Sequence, residues 1–124
     1  MIKFTIPVEP KTKKNSSQIV HIGGRACIVP SKIYKQYERD CLFLIPKEAR
    51  KGINRAVNVK AVYYRGSERR CDISNLHAAL HDILVKACVL EDDNFRIIVS
   101  TDGSRVRVDR EHPRTEVEIT EVEE

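Results

Sequence analysis

The stretch RRCDISNLHAALHDILVKACVLEDDN, residues 69–94, decides the fold, because it contains the clearest helical pattern of the chain. Acids stand at both ends of this pattern. On a wheel of about 100° per residue, residues 72–89 place their apolar side chains on one stripe, as in a helix that packs on a core. That stripe contains Ile73, Leu76, Leu80, Ile83, Leu84 and Ala87. We therefore predict a central helix over residues 72–89.

Strand and helix patterns continue outward from this helix in both directions. Before it come an alternating strand IKFTIPV, a hairpin IVHIGGRACIV turning at Gly23-Gly24, a helix between Ser31 and Pro46, a basic connector KEARKGINR, and a strand AVNVKAVYYR. After it come strands FRIIVS and TEVEITEV on either side of a Gly103 turn. Pro7 within the first strand indicates an edge position. Helices and strands mixed without a regular βαβ repeat predict an α+β fold, a small mixed β-sheet with packed helices.

Size and charge limit the class of protein. At 124 residues with 41% hydrophobic residues, the chain is expected to form one domain over residues 1–124. The net charge of +4 is unevenly distributed, with 16 Lys and Arg against 5 Asp and Glu in residues 1–71, and 6 against 13 in residues 72–124. This asymmetry indicates a polyanion-binding surface beside an acidic cluster, unless the two charges intermingle on the folded surface.

The cysteines and the apolar runs indicate a cytoplasmic protein. The four cysteines are widely spaced without a CxxC pair, which favours reduced, buried thiols over a disulfide framework. No apolar run approaches the roughly 20 residues that span a bilayer, and the N-terminal segment is too short and too interrupted for a secretory signal. We expect neither a membrane partner nor export.

The acids at the two ends of the central helix are candidate metal ligands. Asp72 has an ordinary alternative role, since a carboxylate at a helix N-terminus caps free backbone N–H groups. However, Arg69 and Arg70 precede it, and Asp92 and Asp93 follow the helix. Mg²⁺ typically takes one or two carboxylates and keeps several waters, and it can activate water against a phosphodiester. These acids therefore predict a divalent cation site, with the arginines holding flanking phosphates.

The length of the helix separates the two groups of acids. At about 1.5 Å per residue, residues 73–88 span roughly 24 Å, so Asp72 and Asp93 cannot share an ion along one straight helix. Either the helix breaks before residue 88 and the following segment folds back, or two copies pack their helices antiparallel about a twofold axis. We expect the second arrangement, a homodimer.

At these residues the sequence resembles the RusA family of Holliday-junction resolvases, Mg²⁺-dependent homodimeric endonucleases often carried by prophages. The resemblance rests on RRCDISNL…DILVKACVLEDDNFRIIVS, which is similar to that family's D-x-D-N-L segment, its helix ending in K-A and its D-D pair before a strand. FTIPVEPKTKK and VPSKIYKQYERD are similar to its opening strand and loop and to its first helix. The resemblance implies a RusA-like fold, a four-way DNA junction as substrate, and Mg²⁺, with Mn²⁺ as a substitute.

The resemblance also implies roles for individual residues. Asp72 corresponds to the first catalytic aspartate, Asp93 to the later one with Asp92 beside it, and Asp82 to an acid within the helix. Two positions depart from the family pattern: Ser74 replaces an expected aspartate and Ala78 an expected lysine. Asp82, Asp92 or Asp102 then completes the site, or the protein is a catalytically weak or inactive module that binds branched DNA.

Basic residues of the N-terminal loop and of the central segment are the candidate DNA-binding groups. They are Arg69, Arg70, Lys11, Lys13, Lys14 and Lys86. For the lysine-rich loop the alternative is a solvated surface. His77 and His81 have the i, i+4 spacing of paired zinc ligands, with Cys71 or Cys88 as the only further candidate, but a role at the helix edge explains them better.

Overall fold

A computed structural model describes residues 1–13 and 17–123 of the chain. The strands and helices follow in the order β1 (Ile2–Ile6), β2 (Ser17–Ile22), β3 (Arg25–Pro30), α1 (Lys32–Leu44), a 3₁₀ turn (Lys47–Ala49), β4 (Val57–Arg65), α2 (Ile73–Lys86), β5 (Ile98–Ser100), β6 (Arg105–Val108) and β7 (Arg114–Glu121). The α+β prediction is confirmed.

The main sheet is mixed and is built around β4. Its order is β1-β7-β4-β5, and β6 also pairs with β4. β7 lies antiparallel between β1 and β4, whereas β5 and β6 both run parallel to β4, β5 near its start and β6 along its end. β1 is an edge strand, as Pro7 predicted, although the strand ends at Ile6, before the proline.

The core lies on one face of this sheet and is closed by the two helices. Alternate residues of β4, from Val57 to Tyr63, are fully buried, as are most of the predicted stripe residues of α2. Ser31 caps α1, as predicted, since its hydroxyl accepts the Tyr34 N–H at 3.2 Å. The predicted stripe was wrong at its N-terminal end, because Ile73 is 40% exposed in the first turn of α2, beyond the edge of the core.

The C-terminus of α2 is a tight turn that ends the helix before Cys88. Val89 N–H bonds to the Leu84 carbonyl at 2.9 Å and Cys88 N–H to that of Val85 at 3.0 Å, while Cys88 has a φ of 62°. This is the Schellman arrangement, in which glycine usually occupies the left-handed position. Val89 packs in the core, so the turn is anchored from inside.

The β2–β3 hairpin forms a separate two-stranded sheet. Its turn has positive φ at both central residues, 58° at Gly23 and 79° at Gly24, which is the backbone of a type I′ turn and explains the Gly-Gly pair. The hairpin predicted from the sequence is therefore confirmed.

The region after α2 was only partly predicted. The strand expected over residues 95–100 shortens to Ile98–Ser100, and the segment interpreted as a turn contains the additional strand β6. All four cysteines are free. Within residues 1–13 and 17–123, no helix is long and apolar enough to cross a bilayer.

Candidate active site

A basic cleft opens where the end of β4, the loop after β1 and the start of α1 meet. Its volume is about 1040 Å³, and its walls include five basic residues against one carboxylate, that of Glu9. The five basic residues are Lys11, Arg65, Arg69, Arg70 and Arg110. This arrangement suits a phosphate backbone, for which Lys and Arg are the usual contacts.

A network of hydrogen bonds holds the cleft in shape. The Glu9 carboxylate accepts the Gly66 N–H at 2.9 Å and the Lys11 ammonium at 3.1 Å. Burial raises the pKa of Glu9, but these two donors outweigh it and hold the pKa below its usual value. A Cβ at Gly66 would lie 2.7 Å from a carboxylate oxygen of Glu9, so any other residue here would require the Glu9 side chain to shift. The Arg65 guanidinium bonds to the Arg69 carbonyl and so positions the loop that carries the cleft arginines.

Asp72 directly follows Cys71, which lines this cleft, but is not itself one of the lining residues. It occupies the N-cap position of α2 with extended backbone angles, φ −82° and ψ 135°, yet its side chain makes no capping hydrogen bond. The side chain is exposed. The predicted position of this acid at the N-terminus of the helix is therefore confirmed, but the expected capping hydrogen bond is not formed.

Asp92 and Asp93 occupy an exposed turn after α2. The Asp92 carboxylate accepts the Asp93 N–H at 2.8 Å and the Asn94 side chain at 3.0 Å. These hydrogen bonds, that of the Asp93 N–H first, lower the pKa of Asp92.

The two groups of acids lie at opposite ends of α2. The segment after the helix is tied to the start of β4, because Gly52 N–H bonds to the Cys88 carbonyl at 2.8 Å and Val57 pairs with Ile98. Asp72 instead lies beside the loop that follows the end of β4. The helix breaks before residue 88, but the break does not bring the acids together. In the described part of the chain, no three His, Cys, Asp or Glu side chains form a group that could hold a metal ion.

Asp82 lies apart from both groups and is paired with lysines. Its carboxylate is 2.9 Å from the Lys13 ammonium and 3.3 Å from that of Lys86, which in turn lies 2.9 Å from Glu38. Burial raises the pKa of Asp82, but the hydrogen bond from Lys13 and the charges of both lysines hold it below its usual value. Lys13 and Lys86 are thus engaged in an ion-pair cluster between the helices. Lys14 lies outside the described residues.

The two histidines of α2 stack on each other, with ring centroids 5.4 Å apart and planes 8° from parallel. Nδ1 of His77 lies 2.7 Å from the Tyr63 hydroxyl, so this nitrogen is already hydrogen-bonded. Nε2 of His81 is buried without a hydrogen-bond partner among the described residues. Burial lowers the pKa of His77, and burial followed by the charge of His77 lowers that of His81 to about 4. The two histidines therefore belong to a packed face of α2, which contacts β4 through the hydrogen bond between His77 and Tyr63.

The sequence matches the model of a known protein family. The model of the family described as endodeoxyribonuclease RusA matches residues 7–120. The chain belongs to the RusA family. The members of this family are DNA-binding endonucleases of the kind that resolves Holliday junctions in recombination, and the resemblance noted from the sequence is confirmed. No curated protein matches the chain.

The two departures from the RusA pattern are on the surface of α2. Ser74 and Ala78 are both exposed, Ser74 in the first helical turn and Ala78 one turn further along. The acid and the lysine expected there would therefore fit without disturbing the core.

Two cleft residues escaped the sequence analysis. Arg65 ends β4, four residues before the predicted phosphate-binding residue Arg69, and this position in the sequence is a signal that identifies it. Arg110 reaches the cleft because β6 runs parallel to β4, with Val108 opposite Arg65. No local pattern shows this pairing.

Proposed function

We propose that the chain is a Mg²⁺-dependent, homodimeric endonuclease that cuts four-way DNA junctions. The observation that carries this proposal is the exposed Asp72, whose carboxylate makes no capping hydrogen bond and which directly follows Arg69, Arg70 and Cys71 of an arginine-lined cleft. The family supplies the class of reaction, hydrolysis of a DNA phosphodiester at a junction.

The separation of the acids supports a dimeric site. α2 spans 14 residues, roughly 21 Å, and Asp72 and Asp93 lie beyond its opposite ends. Two copies with antiparallel helices about a twofold axis bring Asp72 of each chain to Asp93 of the other, and so form two equivalent sites. A junction presents two symmetry-related strands, which suits paired sites.

The donor set suits Mg²⁺, a hard cation that needs few protein carboxylates. When bound, the ion activates water and neutralises charge on the phosphodiester. The side chains of this protein do the remaining work. Asp72 and Asp93 supply the negative oxygens, and Arg69 and Arg70 hold the phosphates next to the scissile one. Lys11 bonds to Glu9 and so offsets the one negative charge of the cleft wall.

The test is cleavage of a labelled four-way junction over a range of Mg²⁺ concentrations, with linear duplex as the control substrate. The wild type is expected to cut the junction, to cut with Mn²⁺, and to stop in EDTA. Asp72→Asn and Asp93→Asn should each abolish cutting and retain junction binding, whereas Glu48→Gln, at an exposed acid that does not line the cleft, should cut normally. Undiminished cleavage by both aspartate variants would refute the assignment.

A second candidate function, binding of branched DNA without cutting, is favoured by Ser74 and Ala78. Loss of one carboxylate weakens any cation site built from few ligands. This alternative predicts junction binding without products at any metal concentration. The double change Ser74→Asp with Ala78→Lys should then produce cutting, and a failure to do so would argue against a nuclease weakened at these two positions.

A further inference from the structure

A second cavity adjoins the basic cleft on the side of β6. Its volume is about 720 Å³, and three residues line both the cavity and the cleft, so the two share a wall. These residues are Arg65, Ser67 and Arg110. The other walls come mainly from the end of β4 and from β6, and they include Arg107. A long ligand that lies in the cleft can therefore extend across the shared wall into this cavity.

β6 places two arginines on the face of the sheet that points away from the core. Arg105 lies opposite Val62 and Arg107 opposite Tyr64, and both partners on β4 belong to the half-buried outer set of that strand. The two arginines are exposed, and in the described part of the chain neither forms an ion pair or a side-chain hydrogen bond. Side chains two residues apart on a strand are about 6.6 Å apart, close to two steps of about 3.4 Å along one DNA strand.

The acids of this cavity have other partners. Asp109 accepts two backbone N–H groups of the segment after β6 and lies 2.9 Å from the Arg114 guanidinium. Glu68 lies 3.5 Å from Arg110, in a pair that is exposed on both sides and therefore weak. Since neither acid pairs with Arg107, the positive charge of Arg107 is uncompensated, and the cavity suits an anionic ligand.

A second copy of the chain is a poor occupant of this edge of the sheet. In the described part of the chain β6 pairs with β4 alone, so its other edge could extend the sheet into another molecule. Residues directly opposite each other in antiparallel strands share a face, so a twofold contact of this kind would set the arginines of one β6 against those of the other. Like charges in that position are destabilising, and charged side chains commonly protect a sheet edge from pairing.

We propose that β6 is a second backbone-binding site, at which Arg105 and Arg107 hold phosphates of the DNA arm that leaves the basic cleft. A polymeric anion fits better than a small one, because these arginines continue the cleft through the wall that it shares with the cavity. The inference rests on the proposed DNA substrate but not on the metal site. β6 then adds affinity along an arm, whereas the cleft holds the backbone beside the scissile phosphate.

The first experiment is an anisotropy titration of a labelled four-way junction with the full-length protein in EDTA, at several salt concentrations. The double variant Arg105→Gln with Arg107→Gln should reduce the slope of log affinity against log salt by about 2, because each lost phosphate contact removes about 0.9. The matched control Arg39→Gln with Arg55→Gln removes two exposed arginines that line neither the cleft nor the cavity, and it should keep the wild-type slope. Both double variants should unfold at the same urea concentration as wild type, because all four side chains are exposed.

A second measurement leaves the protein unchanged and alters the DNA. Pairs of methylphosphonate linkages, which remove the phosphate charge, are moved stepwise along one arm of the junction. With wild type, a pair of neutral linkages away from the branch point should weaken binding at least about threefold, because the contacts with β6 are lost. The β6 double variant should be insensitive to the same pair, and the control variant should remain sensitive.

Three results would overturn the inference. They are an unchanged salt slope in the β6 double variant, equal sensitivity of this variant and of wild type to every pair of neutral linkages, and sedimentation showing that this variant is monomeric where wild type is dimeric. The last would assign β6 to a contact between copies. Failure of the proposed catalytic function appears separately, as the expected slopes in EDTA with no products from wild type and junction in Mg²⁺.

Discussion

Mild acid is expected to destabilise the protein through His81. Burial, reinforced by the charge of His77, lowers the pKa of His81 from 6.5 to about 4. Between these values the unfolded chain binds a proton that the folded chain does not, so the free energy of unfolding falls as pH falls. At about 1.36 kcal/mol per pKa unit, the full shift corresponds to about 3 kcal/mol, which partial exposure of the ring reduces to about 2. His77, whose pKa is lowered in the same direction, adds to the effect.

The assay is urea unfolding followed by circular dichroism at intervals from pH 7 to pH 4.5. The paired carboxylates have lowered pKa values and stay ionised in the folded protein over this range. Stability should be constant above pH 7 and decline steadily below about pH 6.5. His81→Gln should flatten this decline, whereas His112→Gln, at an exposed position, should not. A free energy of unfolding that stays constant from pH 7 to pH 4.5, or an unchanged slope in His81→Gln, would refute the reasoning.

Three further predictions concern the core, a helix cap and the cleft. Leu80→Ala should cost about 2–5 kcal/mol of unfolding free energy because the side chain is fully buried. The control Leu44→Ala, at a residue that is 36% exposed, should cost less than about 1 kcal/mol. Equal losses of the two variants in chemical denaturation would contradict the assigned core. Ser31→Ala should cost about 1 kcal/mol by removing the cap on the Tyr34 N–H, and an unchanged thermal midpoint would show that the cap contributes nothing. Arg70→Gln should reduce the slope of log affinity against log salt by about 1 in anisotropy titrations with junction DNA, and the same slope as wild type would exclude a phosphate contact.

The helices and the central strand were predictable because their signals are local. β4 alternates buried and half-buried residues as its sequence does, and the stripe of α2 is buried from Leu76 onward. What failed is the position at which α2 meets the edge of the core. Ile73 has the correct angular position, but it lies in the first turn of the helix and is 40% exposed, and periodicity carries no information on this.

Tertiary pairing accounts for the rest. β6 is a four-residue strand with every residue exposed, and only its parallel pairing with β4 defines it. The cleft followed the same rule. Asp72 and Arg70 are neighbours in sequence, so their proximity could be predicted. Arg110 joins the cleft only because β6 pairs in parallel with β4, which the sequence does not show. Helix length alone correctly separated Asp72 from Asp93, because rise per residue is a property of any helix.

The left-handed turn at Cys88 has a practical consequence for handling the protein. This thiol is exposed and its backbone, with φ of 62°, is one that residues with a Cβ adopt at a cost. An accessible sulfhydryl can cross-link molecules during storage in air. Exchanging Cys88 for glycine removes that oxidation hazard and relaxes the turn in a single step, so the variant offers a cleaner starting material for crystallisation.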